Sequence, residues 1–161
     1  MKKILLIYLI LNYSFYSDSQ NIEWLSFEDA VAKFNKEPKE MFIDVYTNWC
    51  GWCKRMDQTT FKDPEIVKLL TSNYYCVKVN AEMKKETILN GDTLKFIKYG
   101  RSGAHELALR LLNGQMQYPS YVVLDKKLAI KRTIKGYKSN YQLKSELNTP
   151  ITPIAPSPAK P

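Results

Sequence analysis

The chain has 161 residues, 45% hydrophobic, 12% aromatic and 25% charged, with 24 Lys+Arg against 16 Asp+Glu and a net charge of +8. That length suits one domain around one core, and the apolar content excludes a disordered chain. Three cysteines are too few for a disulfide-stapled miniprotein, and one histidine removes most metal sites built on several imidazoles and leaves little choice for a Cys/His nucleophile.

Lys2 and Lys3 precede an apolar run over residues 4–11, and Ser14, Ser17 and Ser19 follow it. This is the pattern of a secretory signal over 1–19, too short for a membrane-spanning helix of about 20 residues. An exported, periplasmic protein is expected. An uncleaved signal acting as a membrane anchor is the alternative, because Tyr16 and Asp18 make the cleavage site imperfect.

Ser26 before residues 27–34, with Asp29 three positions on, is a capping-box-like helix start. Residues 41–46 are an apolar run holding one carboxylate, which predicts a buried strand. A helix is expected to begin between Cys50 and Cys53, and Asp63-Pro64 opens another. Residues 74–79 predict a strand. Residues 87–96 predict a hairpin turning at Asn90-Gly91. Apolar positions 104, 107, 108, 111 and 112 mark one face of a helix with His105 in its first turn. Residues 120–125 and 128–135 form an antiparallel pair, and Ser139 caps a helix over 140–147.

Residues 149–161 hold five of the eight prolines and are expected to be an extended, disordered tail. One domain over 20–148 remains, an α/β sheet with helices on its faces. Its basic residues are dispersed as pairs such as Lys54-Arg55, Lys84-Lys85, Lys126-Lys127 and Lys131-Arg132. Without a clustered face and stacking aromatics, nucleic acid is not expected. A solvated basic surface favours acidic partners or an anionic membrane surface.

The chemistry is concentrated in Asp44-Val45-Tyr46-Thr47-Asn48-Trp49-Cys50-Gly51-Trp52-Cys53-Lys54. A Cys-x-x-Cys at a strand-to-helix junction puts the first sulfur at a helix N-terminus, where free N–H groups and the macrodipole favour thiolate. Cys50 then attacks a substrate disulfide, and Cys53, one turn on, resolves the mixed disulfide. A zinc site needs two further ligands, and only Cys76 and His105 remain, so no metal is expected. A structural disulfide is the other alternative. Cys76, mid-strand and on the same face as Lys78, reads as a small buried hydrophobe, with pairing to Cys50 or Cys53 as the alternative. His105 reads as structural or exposed, with participation in proton transfer as the alternative.

The segment resembles thioredoxin and its bacterial thioredoxin-like relatives: an apolar strand with Asp44, then Trp49-Cys50-Gly51-x-Cys53-Lys54. Lys78-Val79-Asn80 is similar to the end of the next thioredoxin strand. Tyr118-Pro119-Ser120 resembles the cis-proline loop, and Gly136 the glycine before the final helix. The resemblance implies a thioredoxin fold, a central mixed sheet flanked by helices, with a hairpin/helix insertion before the cis-proline loop.

The resemblance also implies roles. Asp44 lies buried beneath Cys53 and relays its proton, tempered by Lys78, while Trp49, Tyr118 and Pro119 shape the substrate face. Trp52, a large aromatic beside the reactive sulfur, is expected to add apolar substrate contact, with a ring lying passively over the helix as the alternative. Trp52 stands where thioredoxin has proline, so a strongly reducing potential does not carry over.

The expectation is an exported thiol–disulfide oxidoreductase, reducing or exchanging disulfides in protein substrates. It is expected to act as a monomer, recharged by a membrane or soluble redox partner. No cofactor is expected, since the dithiol is itself the redox group. The alternative is a thioredoxin-fold binding or chaperone module with an incidental dithiol.

Overall fold

A computed structural model describes residues 21–89 and 91–150. The predicted signal over 1–19, residues 151–161 of the tail predicted over 149–161 and the turn residue Asn90 lie outside the described residues, while Thr149 caps the last helix instead of starting that tail.

Helix α1 (Phe27–Lys36) starts at Ser26, whose Oγ accepts from the Asp29 N–H at 3.1 Å. The reciprocal bond differs from a capping box: the Ser26 hydroxyl itself donates to Asp29 Oδ2 at 2.7 Å. Strand β1 (Glu40–Tyr46) follows, with its five central residues buried. Helix α2 (Gly51–Gln58) and a 3-10 turn (Thr60–Lys62) lead to helix α3 (Pro64–Asn73), N-capped by the Asp63 carboxylate. Strand β2 (Tyr74–Asn80) returns parallel to β1.

Two hairpins then replace the one expected. The first, β3 (Thr87–Leu89) with β4 (Asp92–Leu94), lies where the sequence placed it. The second, β5 (Phe96–Tyr99) with β6 (Ser102–His105), corrects the reading of Phe96 as the end of the first hairpin. It also moves the start of helix α4 to Glu106–Leu111, so His105 is its N-cap rather than a first-turn residue. Gly103 carries this pairing. A Cβ there meets Phe96 Cζ at 2.3 Å and the Ile97 carbonyl oxygen at 2.6 Å, so only a residue without a side chain fits.

Strand β7 (Ser120–Leu124) pairs antiparallel with β1 and with β8 (Ile130–Lys135), and helix α5 (Asn140–Asn148) closes the fold. Strand β8 begins two residues later than expected. The Asp125 carboxylate accepts from the N–H groups of Lys127 and Ala129, and Leu128 sits at φ 61°, so the turn takes up that stretch. Ser139 and Gln142 complete a true capping box on α5.

The sheet order is β2-β1-β7-β8, extended at the β2 edge by a Leu25–Val77 bridge. Strand alternation sorts the core into two layers. Met41, Ile43, Val45, Val77, Val79, Val122 and Leu124 face α1 and α4. Phe42, Cys76, Tyr121, Val123 and Ile134 face α2, α3 and α5 through Met56, Ile66, Leu70 and Leu143. Asp44 and Lys78 lie on this second face, since they alternate in register with Phe42 and Cys76.

Gly103→Ala is expected to destabilise the protein by about 1–3 kcal/mol through overpacking against backbone. Gly51→Ala meets open space and is expected to be near neutral. Urea unfolding of both variants checks this, and equal midpoints would contradict it.

Candidate active site

The loop leaving β1 folds back at once, because the Cys50 N–H bonds the Thr47 carbonyl at 3.2 Å and the Lys54 N–H bonds the Cys50 carbonyl at 3.3 Å. Cys50 thereby becomes the N-cap of α2, with extended backbone at φ −71° and ψ 102°. Its Sγ accepts from the Cys53 N–H at 3.1 Å, and no acidic residue occupies the first turn to oppose negative charge there. Cys50 and Cys53 are joined as a disulfide, and Cys76 is free and buried. Burial pushes the Cys76 thiol up to about 12, so it stays a neutral packing residue.

The sheet face toward α2 carries a buried charge. Asp44 is 1% exposed, and its Oδ2 is 3.2 Å from Lys78 Nζ on the neighbouring strand. Lys78 also pairs with Asp57 of α2 at 2.5 Å and lies over the rings of Trp24 and Tyr46. Asp57 is four residues beyond Cys53 and so shares its helix face. The Asp44–Lys78–Asp57 chain thus runs from the sheet to the helix that carries Cys53. The sequence reading missed Asp57, although its spacing from Cys53 was a signal.

Burial raises Asp44 to about 6, with Lys78 pulling back and Asp57 adding to the rise. Burial opposes the charge on Lys78, yet the two carboxylates outweigh it and hold the ammonium above its ordinary value. Asp44 Oδ1 has no hydrogen-bond partner among the described residues, nor does the hydroxyl of Tyr121, its cross-strand neighbour on β7. Burial, then the negative charge of Asp44, pushes that phenol up.

Around the disulfide stand exposed aromatics. Trp49 is 66% exposed and Trp52 61% exposed. Trp49 is fixed by its Nε1–H donating to Glu82 at 3.0 Å and by an edge contact with Tyr118 at 5.8 Å. This contact brings the Tyr118–Pro119 loop, whose peptide bond is cis, beside the dithiol. Trp52 leans on Tyr137 at 5.3 Å, on another side of the helix start. Nothing in the sequence marked Glu82 or Tyr137 for these contacts, since both come from distant segments.

His105 is fully buried. Its Nδ1 accepts from the Leu107 N–H at 3.1 Å, so the ring proton sits on Nε2 and is donated to the Lys85 carbonyl at 3.0 Å. Burial lowers its pKa, and both nitrogens serve the backbone, which is the structural reading.

A sequence profile of the family Thioredox_DsbH, described as "Protein of unknown function, DUF255", matches residues 9–90, about half of the chain. The chain belongs to this family. Spermatogenesis-associated protein 20 of Mus musculus is 33% identical over 66 residues, which are 40% of this chain. Thiol:disulfide interchange protein DsbD of Colwellia psychrerythraea is 35% identical over 48 residues, which are 30% of this chain. The matched segment is 8% of the length of each of these relatives. A thioredoxin from Thermus thermophilus superposes with a TM-score of 0.57 at 15% identity, covering 79% of this chain and 85% of that one. The fold of this Thioredox_DsbH member is the thioredoxin fold.

Because Asp44 sits at about 6 in the fold against an ordinary 3.8, folding favours its neutral form. Its stabilising share is complete below about pH 3.8 and is lost as pH rises to about 6, roughly 3 kcal/mol in all. Asp44→Asn, which leaves Lys78 its Asp57 partner, is therefore expected to stabilise the protein by up to about 3 kcal/mol at pH 8 and little at pH 4. Unfolding curves at the two pH values test this, and a pH-independent difference would contradict it.

Proposed function

We propose that the protein is an exported thiol–disulfide oxidoreductase that reduces or exchanges disulfides in protein substrates. The observation that carries this reading is the Cys50–Cys53 disulfide at the N-cap of α2, the helix whose Asp57 joins the Asp44–Lys78 pair. The name of the DsbD relative, a thiol:disulfide interchange protein, supports it. Export rests on the sequence of residues 1–19.

In the reduced protein, the Cys50 thiolate attacks one sulfur of a substrate disulfide. A Cys50–substrate bond forms, and the other substrate sulfur leaves as thiolate. Cys53 then loses its proton and attacks the Cys50 sulfur, releasing the second substrate thiolate and closing the protein disulfide. Two electrons pass from the dithiol to the substrate. Asp44, near 6, is the base for the Cys53 proton, and Lys78 and Asp57 hold the carboxylate in place. The exposed faces of Trp49 and Trp52 offer apolar contact to the substrate, and Tyr118 and Pro119 line its approach. A membrane or soluble partner re-reduces the disulfide.

The reduction potential of the Cys50–Cys53 pair, equilibrated against glutathione or dithiothreitol buffers, is the decisive measurement. A value at or below about −250 mV fits a reductant, and one near or above about −180 mV would reverse the proposed direction. Cys53→Ser is expected to accumulate mixed disulfides with protein substrates, and Cys50→Ser to form none. Asp44→Asn is expected to slow release of the mixed disulfide by about 100-fold at pH 7. The gap should close above about pH 9, where a thiol of ordinary pKa ionises unaided. Equal rates at pH 7 would remove Asp44 from the mechanism.

A further inference from the structure

The second hairpin, absent from the sequence reading, builds a cleft against the dithiol loop. It has a volume of about 460 Å³, and its walls include Asn48, Glu82, Lys84, Phe96, Lys98 and Arg101. Asn48 stands two residues before Cys50, so its Cα, on this wall of the cleft, lies within about 8 Å of the Cys50 Cα. Its wall is tied to the redox loop twice, by the Asn80–Asn48 amide bond at 3.2 Å and by the Glu82–Trp49 bond. Tyr99, 49% exposed at the hairpin's end, lies close enough to Tyr118 to help push its phenol up to about 12, behind burial.

The charge in this cleft is unbalanced. Lys84, Lys98 and Arg101 are exposed and form no ion pair among the described residues, whereas Lys85 and Arg110 nearby pair with Glu28 and Asp92. Lys84 lies over the Phe96 ring. Glu82 is the carboxylate among the lining residues, and its Oε1 already accepts the Trp49 indole N–H. Like charges gathered in a concave site focus their field on whatever enters. On another face of the loop Trp52 leans on Tyr137 instead, an aromatic contact outside the cleft.

We propose that this cleft selects polypeptide substrates carrying carboxylates two to four residues from the cysteine that Cys50 attacks. An extended chain advances about 3.3 Å per residue, so those side chains arrive about 7–13 Å from the reacting sulfur, at the cations of the β5–β6 hairpin. The inference rests on the thiol–disulfide reading above and names the substrate class for that site. Lys84, Lys98 and Arg101 act on specificity and take no part in the sulfur chemistry.

The test uses reduced full-length protein and pairs of disulfide-linked peptides that differ only in Asp/Glu against Lys at those positions. Hydroxyethyl disulfide serves as the neutral reference. At low ionic strength the acidic peptides are expected to show at least about tenfold higher kcat/KM, falling to about twofold at roughly 0.5 M salt. Lys98→Glu combined with Arg101→Glu is expected to invert the preference while leaving hydroxyethyl disulfide turnover unchanged. If that disulfide is reduced but acidic and basic peptides react equally, the substrate class is overturned and the redox reading stands. An unchanged preference in the double variant would overturn the assignment to this cleft. Failure of the wild-type protein to reduce hydroxyethyl disulfide would overturn both readings together.

Discussion

A carboxylate inside a strand that is buried on both faces is the constraint around which this protein is arranged. Asp44 is 1% exposed, and an unpaired charge there would be expensive. Parallel pairing places Lys78 directly across from it on β2. Lys78 reaches in at 3.2 Å, sits against the rings of Trp24 and Tyr46, and spends its remaining bonding on Asp57 of the redox helix. One cation therefore joins two strands, the N-terminal segment and α2. The pairing is incomplete, since Asp44 Oδ1 keeps no partner among the described residues, and burial outweighs the pull of Lys78, so the carboxyl settles near 6.

That incomplete pairing links stability to chemistry. A carboxyl raised to about 6 makes the fold less stable above that pH, and a raised carboxyl is also the kind of group that can exchange a proton with a thiol near neutral pH. The helix above contributes the other half of the device, with the Cys53 N–H directed at Cys50 Sγ. Cys76, on the same face, takes no part, because burial keeps it protonated and apolar neighbours surround it.

The surface divides by origin. The sheet and α2 supply the parts that the thioredoxin resemblance implies, including the cis Tyr118–Pro119 loop held by Trp49. The segment between β2 and β7 is the longer stretch that a minimal thioredoxin pattern does not account for. It contributes Glu82, which anchors the indole of Trp49, and the β5–β6 hairpin, whose Lys98 and Arg101 line the cleft beside Asn48 and form no ion pair among the described residues. The buried His105 holds this segment in place by capping α4 and bonding the Lys85 carbonyl.

Local chemistry made much of this legible from the sequence. Ser26, Asp63 and Ser139 announce helix starts because a side-chain oxygen before an amphipathic run satisfies free N–H groups. The apolar runs of β1, β2 and β7 announce buried strands, and Cys-x-x-Cys at a strand-to-helix junction announces the dithiol. The β5–β6 hairpin was not legible, because its closeness depends on Gly103 passing under the Phe96 ring, a contact between residues with no strand-like alternation. Asp57, Glu82 and Tyr137 were missed for a related reason. Each acquires its role by meeting a side chain 21 or more positions away, as Asp57 does with Lys78 and Glu82 with Trp49. The sequence by itself determined which segments bury and where the sulfur chemistry sits, since both follow from local pattern. Tertiary structure alone decided which charges meet and which stay unpaired, because that depends on side chains brought together only when the sheet has formed.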